Sequence, residues 1–146
     1  MKKTRKSWRE KLAQSKGLPK TLVIPAPKEV DEFMRQVPPG KLTTINEIRS
    51  ALARKHGTDM ACPMTTGIFA WIAAHAAVEA AAAGEQHTTP YWRTLKTGGE
   101  LNPKYPGGLA GQKKLLEAEG HRIEKKGKAQ VVAEYEKALC ALGKQN

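Results

Sequence analysis

The sequence is short of cysteine, of acidic residues and of long apolar runs. Its 146 residues include two cysteines, Cys62 and Cys140, with no CxxC pair and no metal-ligand spacing. This excludes a disulfide framework and favours reduced thiols in a cytoplasm. The most apolar segment, residues 68–83, is mostly alanine and is interrupted by His75 and Glu79. That segment is too short and too weak to span a bilayer, so no membrane partner is expected.

The basic start of the chain is not followed by an apolar stretch of the signal-peptide kind. We therefore expect a cytoplasmic protein without an export signal. Nor does any cluster of residues have the spacing of a catalytic or metal site, so no cofactor and no metal are expected. The length of the chain suits one domain with a core and an additional tail.

Positive charge is what the chain has in excess: 25 Lys and Arg stand against 14 Asp and Glu, a formal net charge of +11. Such an excess in a small protein favours a polyanionic partner, because phosphate neutralisation releases condensed counterions. Residues 1–20 hold eight basic residues against Glu10 alone, and so carry +7 of the +11. This basic arm either follows a nucleic-acid backbone or is a solvated terminus, and Trp8 within it either stacks on a base or packs on the domain.

Four segments have the 3.6-residue apolar spacing of a helix. The first begins at Lys28 and ends at Pro38-Pro39-Gly40. The second begins at Thr44, whose hydroxyl caps it while Glu47 reaches back as a capping box. The third, Thr65–Ala83, is rich in alanine, and the fourth is Leu109–Glu119.

A last amphipathic segment, Val131–Leu142, predicts a C-terminal helix. Two short helices followed by a long one suit a helix-turn-helix body. The predicted fold is mainly α, a winged helix-turn-helix domain with a basic N-terminal arm and an extra C-terminal helix. The predicted boundaries are residues 1–27 for the arm, 28–128 for the domain and 129–146 for the last helix.

Three segments in order resemble the DNA-binding domain of the O6-alkylguanine-DNA alkyltransferases. They are Val37-Pro38-Pro39-Gly40-Lys41-Leu42-Thr43-Thr44, then Pro90-Tyr91-Trp92-Arg93, then Tyr105-Pro106-Gly107-Gly108-Leu109-Ala110 with Leu115-Leu116-Glu117-Ala118-Glu119-Gly120. The family shows Val-Pro-x-Gly-x-Val-x-Thr or Ser, then Pro-Cys-His-Arg, then Tyr-Ser-Gly-Gly-Leu-Ala with Leu-Leu-x-x-Glu-Gly. The resemblance covers residues 37–123, and three motifs in sequence are much stronger evidence than one.

The chain departs from the family where the family's chemistry takes place. The family moves an alkyl group from guanine O6 to the motif cysteine, which its neighbouring His and a later Glu activate. Tyr91 stands at the cysteine position and Trp92 at the histidine position. A phenol with a reference pKa of about 10 is protonated at neutral pH, and an indole is no base. We therefore expect no catalytic residue and no enzyme activity.

The alkyltransferase-like branch lacks the same cysteine and usually carries Trp there. The resemblance implies that this chain binds double-stranded DNA as a monomer, flips an O6-alkylated guanine without repairing it, and presents it to nucleotide excision repair proteins. The implied lesion pocket consists of Pro90, Tyr91, Trp92, Arg93, Tyr105, Gly107 and Gly108.

The implied DNA contacts are Thr43, Thr44, Met64, Thr65 and Thr66. Met64 stands where the family has the Arg that fills the hole left by the flipped base, and there it would act as an apolar wedge. Ile45 replaces the family's Tyr beside the flipped nucleotide, and the stretch from Gly67 to Pro90 is about ten residues longer than in the family.

Other interpretations remain open. A DNA- or RNA-binding regulator that kept the fold without lesion recognition would show salt-dependent binding and no preference for damage. Cys62 just ahead of a helix is a candidate nucleophile, although a lone cysteine is more often a small buried hydrophobe. A second basic cluster, Arg122, Lys125, Lys126 and Lys128, is either a phosphate-binding edge or solvated surface.

Overall fold

The computed structural model describes residues 7–9 and 21–143. Most of the predicted basic arm lies outside the described residues, as do residues 144–146. The predicted division between arm and domain therefore stays a prediction. Within the described ranges no helix is long and apolar enough to cross a membrane.

Helix α1, Pro27–Arg35, begins one residue before the predicted start at Lys28, because a proline at the first position of a helix costs no hydrogen bond. The Ala26 backbone N–H donates to the Glu29 carboxylate at 3.0 Å. The same carboxylate lies 2.8 Å from Lys55 Nζ and 2.6 Å from His56 Nε2 at the end of the next helix. Lys55 is the main reason that the pKa of Glu29 is lowered to about 2. This carboxylate therefore ties the start of α1 to the end of its neighbour.

Helix α2, Ile45–His56, confirms the predicted cap: the Glu47 backbone N–H donates to the Thr44 hydroxyl at 3.3 Å. Gly57 ends it with a φ of 64°, in the left-handed region that favours glycine. Helix α3, Pro63–Ala82, is the long alanine-rich helix. It packs against α1 and α2, which small side chains allow at close range. Helix α4, Gly108–Ala118, follows the Gly107-Gly108 turn.

Short strands connect these helices. Strand β1, Leu22–Val23, pairs in parallel with β3, Met60–Ala61. Strand β2, Thr43–Thr44, pairs in parallel with β4, Thr94–Leu95. This second pairing lays the first sequence motif directly beside the second.

The predicted C-terminal helix is wrong. Residues 123–132 form an antiparallel hairpin of β5, Ile123–Lys126, and β6, Ala129–Val132, which turns at Gly127 with a φ of 61°. A short 3-10 helix, Tyr135–Ala138, follows. The adjacent β-branched pair Val131-Val132 is buried in β6, because strand pairing satisfies the backbone there. The predicted boundary after Lys128 thus falls inside the hairpin.

The core has two parts, one formed by α1, α2 and α3 and the other by β4, α4 and β6. Trp92 packs against both parts. The chain is therefore dominated by α-helices, as predicted. Trp92, from the second motif, lies where the two parts of the core meet.

Candidate nucleic-acid interface

A single carboxylate joins the three sequence motifs. Glu119, from the third motif, accepts hydrogen bonds from Trp92 Nε1 at 2.9 Å and from the Arg93 guanidinium at 2.8–3.0 Å. It also accepts the Gly40 backbone N–H at 3.1 Å, and Arg93 donates to the Val37 carbonyl oxygen. The motifs that the sequence places far apart are thus neighbours in space.

This network leaves Glu119 ionised and occupied. Burial raises its pKa, but the hydrogen bonds from Arg93, Gly40 and Trp92 together outweigh burial and hold the pKa below its ordinary value. The guanidinium and carboxylate side chains are 12% and 15% exposed, so water competes little for either. A carboxylate engaged on every side is a structural clamp and has no free lone pair to activate a neighbour.

Tyr91 faces the protein interior. It lies in the 3-10 helix Tyr91–Arg93 and is 8% exposed, and Tyr105 is 2% exposed. Its ring meets Trp92 edge-on at 5.4 Å between centroids and Tyr105 at 5.5 Å. Burial raises the pKa of both phenols. Each phenol is therefore neutral at physiological pH and serves as an apolar wall.

Two of the residues predicted to form the lesion pocket, Tyr91 and Tyr105, are buried against each other. Three others, Pro90, Trp92 and Arg93, line a surface cavity, where Glu119 holds the Trp92 indole. Gly107 and Gly108 form the turn before α4 with φ values of 80° and 64°. The structure thus packs Tyr91 against Trp92 and Tyr105, and the lesion pocket itself stays a prediction.

The residues predicted to contact DNA divide into two groups. Met64 is 71% exposed in the first turn of α3, and Thr65 beside it is partly exposed. Thr43 and Thr66 are fully buried, and Thr44 is 5% exposed. The Thr66 hydroxyl donates to the Cys62 carbonyl at 2.7 Å and Thr44 caps α2. The side chains of Thr43, Thr44 and Thr66 are therefore structural, and a DNA contact at these residues, which would use the backbone, stays a prediction.

A groove opens beside Met64. It has a volume of about 430 Å³ and is lined by two loop segments, 96–97 and 102–104, and by residues of two helices: Ile45, Asn46 and Arg49 of α2, and Pro63, Met64, Gly67, Ile68 and Trp71 of α3. Three cations, Arg49, Lys96 and Lys104, belong to it, and none of the described residues that line it is acidic. Ile45, Ile68, Trp71 and Pro103 supply apolar surface. We call this site the basic groove.

Hydrogen bonds hold the walls of the basic groove in place. Arg49 Nε donates to the Ala61 carbonyl at 3.0 Å, and its Nη1 donates to Asn46 Oδ1 at 3.1 Å. On the opposite wall, the His75 ring lies 2.9 Å from the Lys104 carbonyl oxygen. The buried Gln112 accepts the Asn102 N–H at 2.7 Å and donates to the Trp92 carbonyl at 3.1 Å. The loop 102–104 is therefore fastened to both α3 and α4.

Comparison with known proteins gives one similar solved structure. The chain is similar to S. pombe Atl1 in a crystal structure of its complex with damaged DNA containing O6-carboxymethylguanine. The two are 21% identical with a TM-score of 0.48, over 78% of this chain and 93% of that chain. Atl1 is an alkyltransferase-like protein, the branch that the three motifs resemble. No family model matches the chain, and no curated protein matches it significantly.

A match of that identity and TM-score assigns no role to any residue.

Cys62 and the hairpin lie apart from the motif network. Cys62 precedes α3, where the Thr65 side chain and backbone amide lower the pKa of its thiol. No other His, Cys, Asp or Glu forms a metal-binding group with it among the described residues. In the hairpin, Arg122 pairs with Glu124 at 3.2 Å, while Lys125, Lys126 and Lys128 are exposed.

Sequence reasoning missed Trp71, Arg49, Lys96 and Lys104. None of them belongs to a motif, so the resemblance did not point to them. One signal was present: Met64, Ile68 and Trp71 follow each other at spacings of four and three residues, which places them on one face of α3. The lysines come from loops, whose positions only the tertiary fold determines.

Proposed function

We propose that this chain is a non-catalytic DNA-binding protein of the alkyltransferase-like kind, a winged helix-turn-helix domain that recognises O6-alkylguanine by base flipping and flags it for repair. The observation that carries the proposal is the basic groove beside the exposed Met64. A helix start with an apolar residue projecting at 71% exposure suits a wedge between base pairs. The three cations of the groove suit the phosphates on either side.

The residues at the position of the acceptor cysteine support binding without transfer. Tyr91 is buried as a neutral phenol, and no base lies next to its ring among the neighbours described above. Trp92 stands at the position of the family's histidine, and its indole N–H donates a hydrogen bond to Glu119. An alkyl group therefore has no activated acceptor in this site.

The experiment is equilibrium binding to two duplexes of identical sequence, one with O6-methylguanine and one with guanine, across a salt series. We expect tighter binding to the lesion at every salt concentration, with all methyl groups recovered on the DNA. Lys96→Gln with Lys104→Gln should weaken binding to both duplexes and lower the salt slope by about 2, since each lost phosphate contact removes about 0.9.

A matched control is Lys114→Gln with Lys28→Gln, because both lysines are exposed outside the groove. The control pair should leave the slope within about 0.5 of the wild type. Methyl loss from the DNA, or a groove variant that behaves like the control, would refute the proposal.

A second function is favoured by the packing of Tyr91 on Tyr105. Because these two residues of the predicted pocket are buried against each other, a nucleic-acid-binding regulator without lesion recognition also fits. A regulator of this kind would bind the two duplexes equally, and both affinities would fall together as the salt concentration rises.

A further inference from the structure

The basic groove combines an apolar surface with a set of cations, and a nucleotide can bind to both. One side of α3 presents Met64, Ile68 and Trp71 as an apolar strip, and Pro103 lines the same groove. Arg49, Lys96 and Lys104 surround that strip. An aromatic surface ringed by cations suits a nucleobase with its flanking phosphates. An apolar peptide would leave the cations unpaired, and an acidic one would not use the flat aromatic face.

Among the described residues that line the groove, Trp71 is the one aromatic residue. Its ring is partly exposed and meets the His75 ring edge-on at 6.4 Å between centroids. His75 in turn lies 2.9 Å from the Lys104 carbonyl oxygen, so the indole is linked through His75 to the loop 102–104. Among the described residues, none accepts a hydrogen bond from the Trp71 indole N–H.

The volume of the groove fits a ligand of this size. About 430 Å³ lies within the range of roughly 300–1,000 Å³ that is typical of small-ligand sites. Asn102 lies in the wall at 7% exposure, and its Oδ1 accepts the Lys104 N–H at 2.9 Å. The groove is thus a formed site with a buried polar residue in its wall.

We propose that Trp71 is the platform on which an extrahelical base stacks, between α3 and Pro103, and that the Tyr91–Tyr105 pair is the closed wall behind it. This inference rests on the proposed function, since it names the residue that holds the base in that same site. The base therefore occupies the outer groove, and Tyr91 does not have to move to admit it.

The test is the affinity of Trp71 variants for the O6-methylguanine and guanine duplexes. Trp71→Ala should bind the lesion duplex roughly 5- to 150-fold more weakly, the worth of one base–aromatic stack, and should lose most of the preference for the lesion. Trp71→Phe should keep part of that preference. Ile72→Ala is the matched control, because Ile72 is 43% exposed on α3 and lines a different surface.

A second measurement separates stacking from folding. In protein labelled with 5-fluorotryptophan, the three tryptophans give three ¹⁹F resonances, each assigned by substitution to Phe. The lesion duplex should shift the Trp71 resonance by the ring current of the stacked base, and the guanine duplex should not. Thermal melts of the free variants report any loss of folding separately.

The outcomes distinguish this inference from the function on which it rests. A wild type that prefers the lesion, with a Trp71→Ala variant that prefers it equally and a Trp71 resonance that does not move, refutes the platform and leaves the proposed function standing. A wild type without lesion preference refutes both.

Discussion

Among single residues, Tyr91 and Glu119 define what the motif region does. Tyr91 stands where the motif that the sequence resembles has a small cysteine, and its ring packs edge-on against Trp92 and Tyr105. Glu119 uses both oxygens to hold Trp92, Arg93 and Gly40. The Tyr91 ring therefore takes up space in the motif region, and Glu119 fixes the residues around it.

A cysteine at position 91 should not confer alkyl transfer. We expect Tyr91→Cys to acquire no methyl group from O6-methylguanine DNA, because burial would raise the pKa of the new thiol and Trp92 is no base. Incubation with DNA labelled in the methyl group, followed by counting of label on the protein, measures this. Stoichiometric labelling would mean that a buried thiol is reactive here without a neighbouring base.

The Glu119 clamp should dominate the acid stability of the motif region. Glu119→Gln should lower the free energy of unfolding by about 2–4 kcal/mol at pH 7, because Arg93 loses its ionic partner while it stays mostly buried. The pKa of Glu119 is lowered on folding, so its stabilisation is complete above the ordinary value of 4.5 and is lost as the pH falls through the folded-state value.

Denaturant titrations from pH 7 to pH 3 check this. The wild type should lose more stability than Glu119→Gln below pH 4.5. Glu117→Gln, on the exposed side of α4, is the control and should follow the wild-type curve. Parallel curves for all three proteins would mean that the clamp contributes nothing.

Among elements, helices were predicted well and the C-terminal segment was not. The four helices begin within two residues of their predicted starts, because capping residues and prolines are local signals. The apolar residues of Val131–Leu142 fit the spacing of a helix as well as that of a strand. Only the pairing of β5 with β6 across Gly127 places Val131 and Val132 in a strand. The basic groove could not be predicted, because its walls come from segments joined only by the fold.

The 3-10 helix Tyr135–Ala138 should depend on Gly99. A Cβ at Gly99 would lie 2.4 Å from Cδ1 of Tyr135, and the backbone there has a φ of +80°. We expect Gly99→Ala to lower the free energy of unfolding by about 2–4 kcal/mol, combining the left-handed backbone cost with the clash. Gly98→Ala isolates the backbone cost, since its φ is also +80° with nothing within 4 Å.

Thermal unfolding measures both variants. Gly98→Ala should lose about 1–2 kcal/mol. Equal losses for the two would show that Tyr135 moves freely out of the way.

At the scale of the whole molecule, the net charge of +11 is unevenly divided. Residues 1–20 carry +7 of it, and the hairpin adds the exposed Lys125, Lys126 and Lys128. Phosphate contacts set affinity and its salt dependence, whereas they carry no information about the base. Charge outside the groove should therefore change how tightly DNA binds without changing the preference for a lesion.

Two sets of charge-neutralising substitutions test this division. Replacing Lys2, Lys3, Arg5 and Lys6 by Gln should lower the slope of log K against log salt by about 3–4, and replacing Lys125, Lys126 and Lys128 by about 2–3. The ratio of affinities for lesion and guanine duplexes should stay constant. If a set of substitutions leaves the salt slope unchanged, the replaced side chains do not contact phosphates. If a set changes the ratio of the two affinities, the replaced side chains contact more than the DNA backbone.

The fastening of loop 102–104 by Gln112 and His75 has a kinetic consequence. A loop that is already held in place in the free protein loses little conformational entropy when a ligand binds against it. Encounter with DNA is then governed by diffusion and by long-range attraction, both of which the cationic surface accelerates. Uncharged substitutions at apolar residues of the groove, such as Trp71→Ala, should accordingly appear as shorter residence times on DNA, at nearly unchanged association rates.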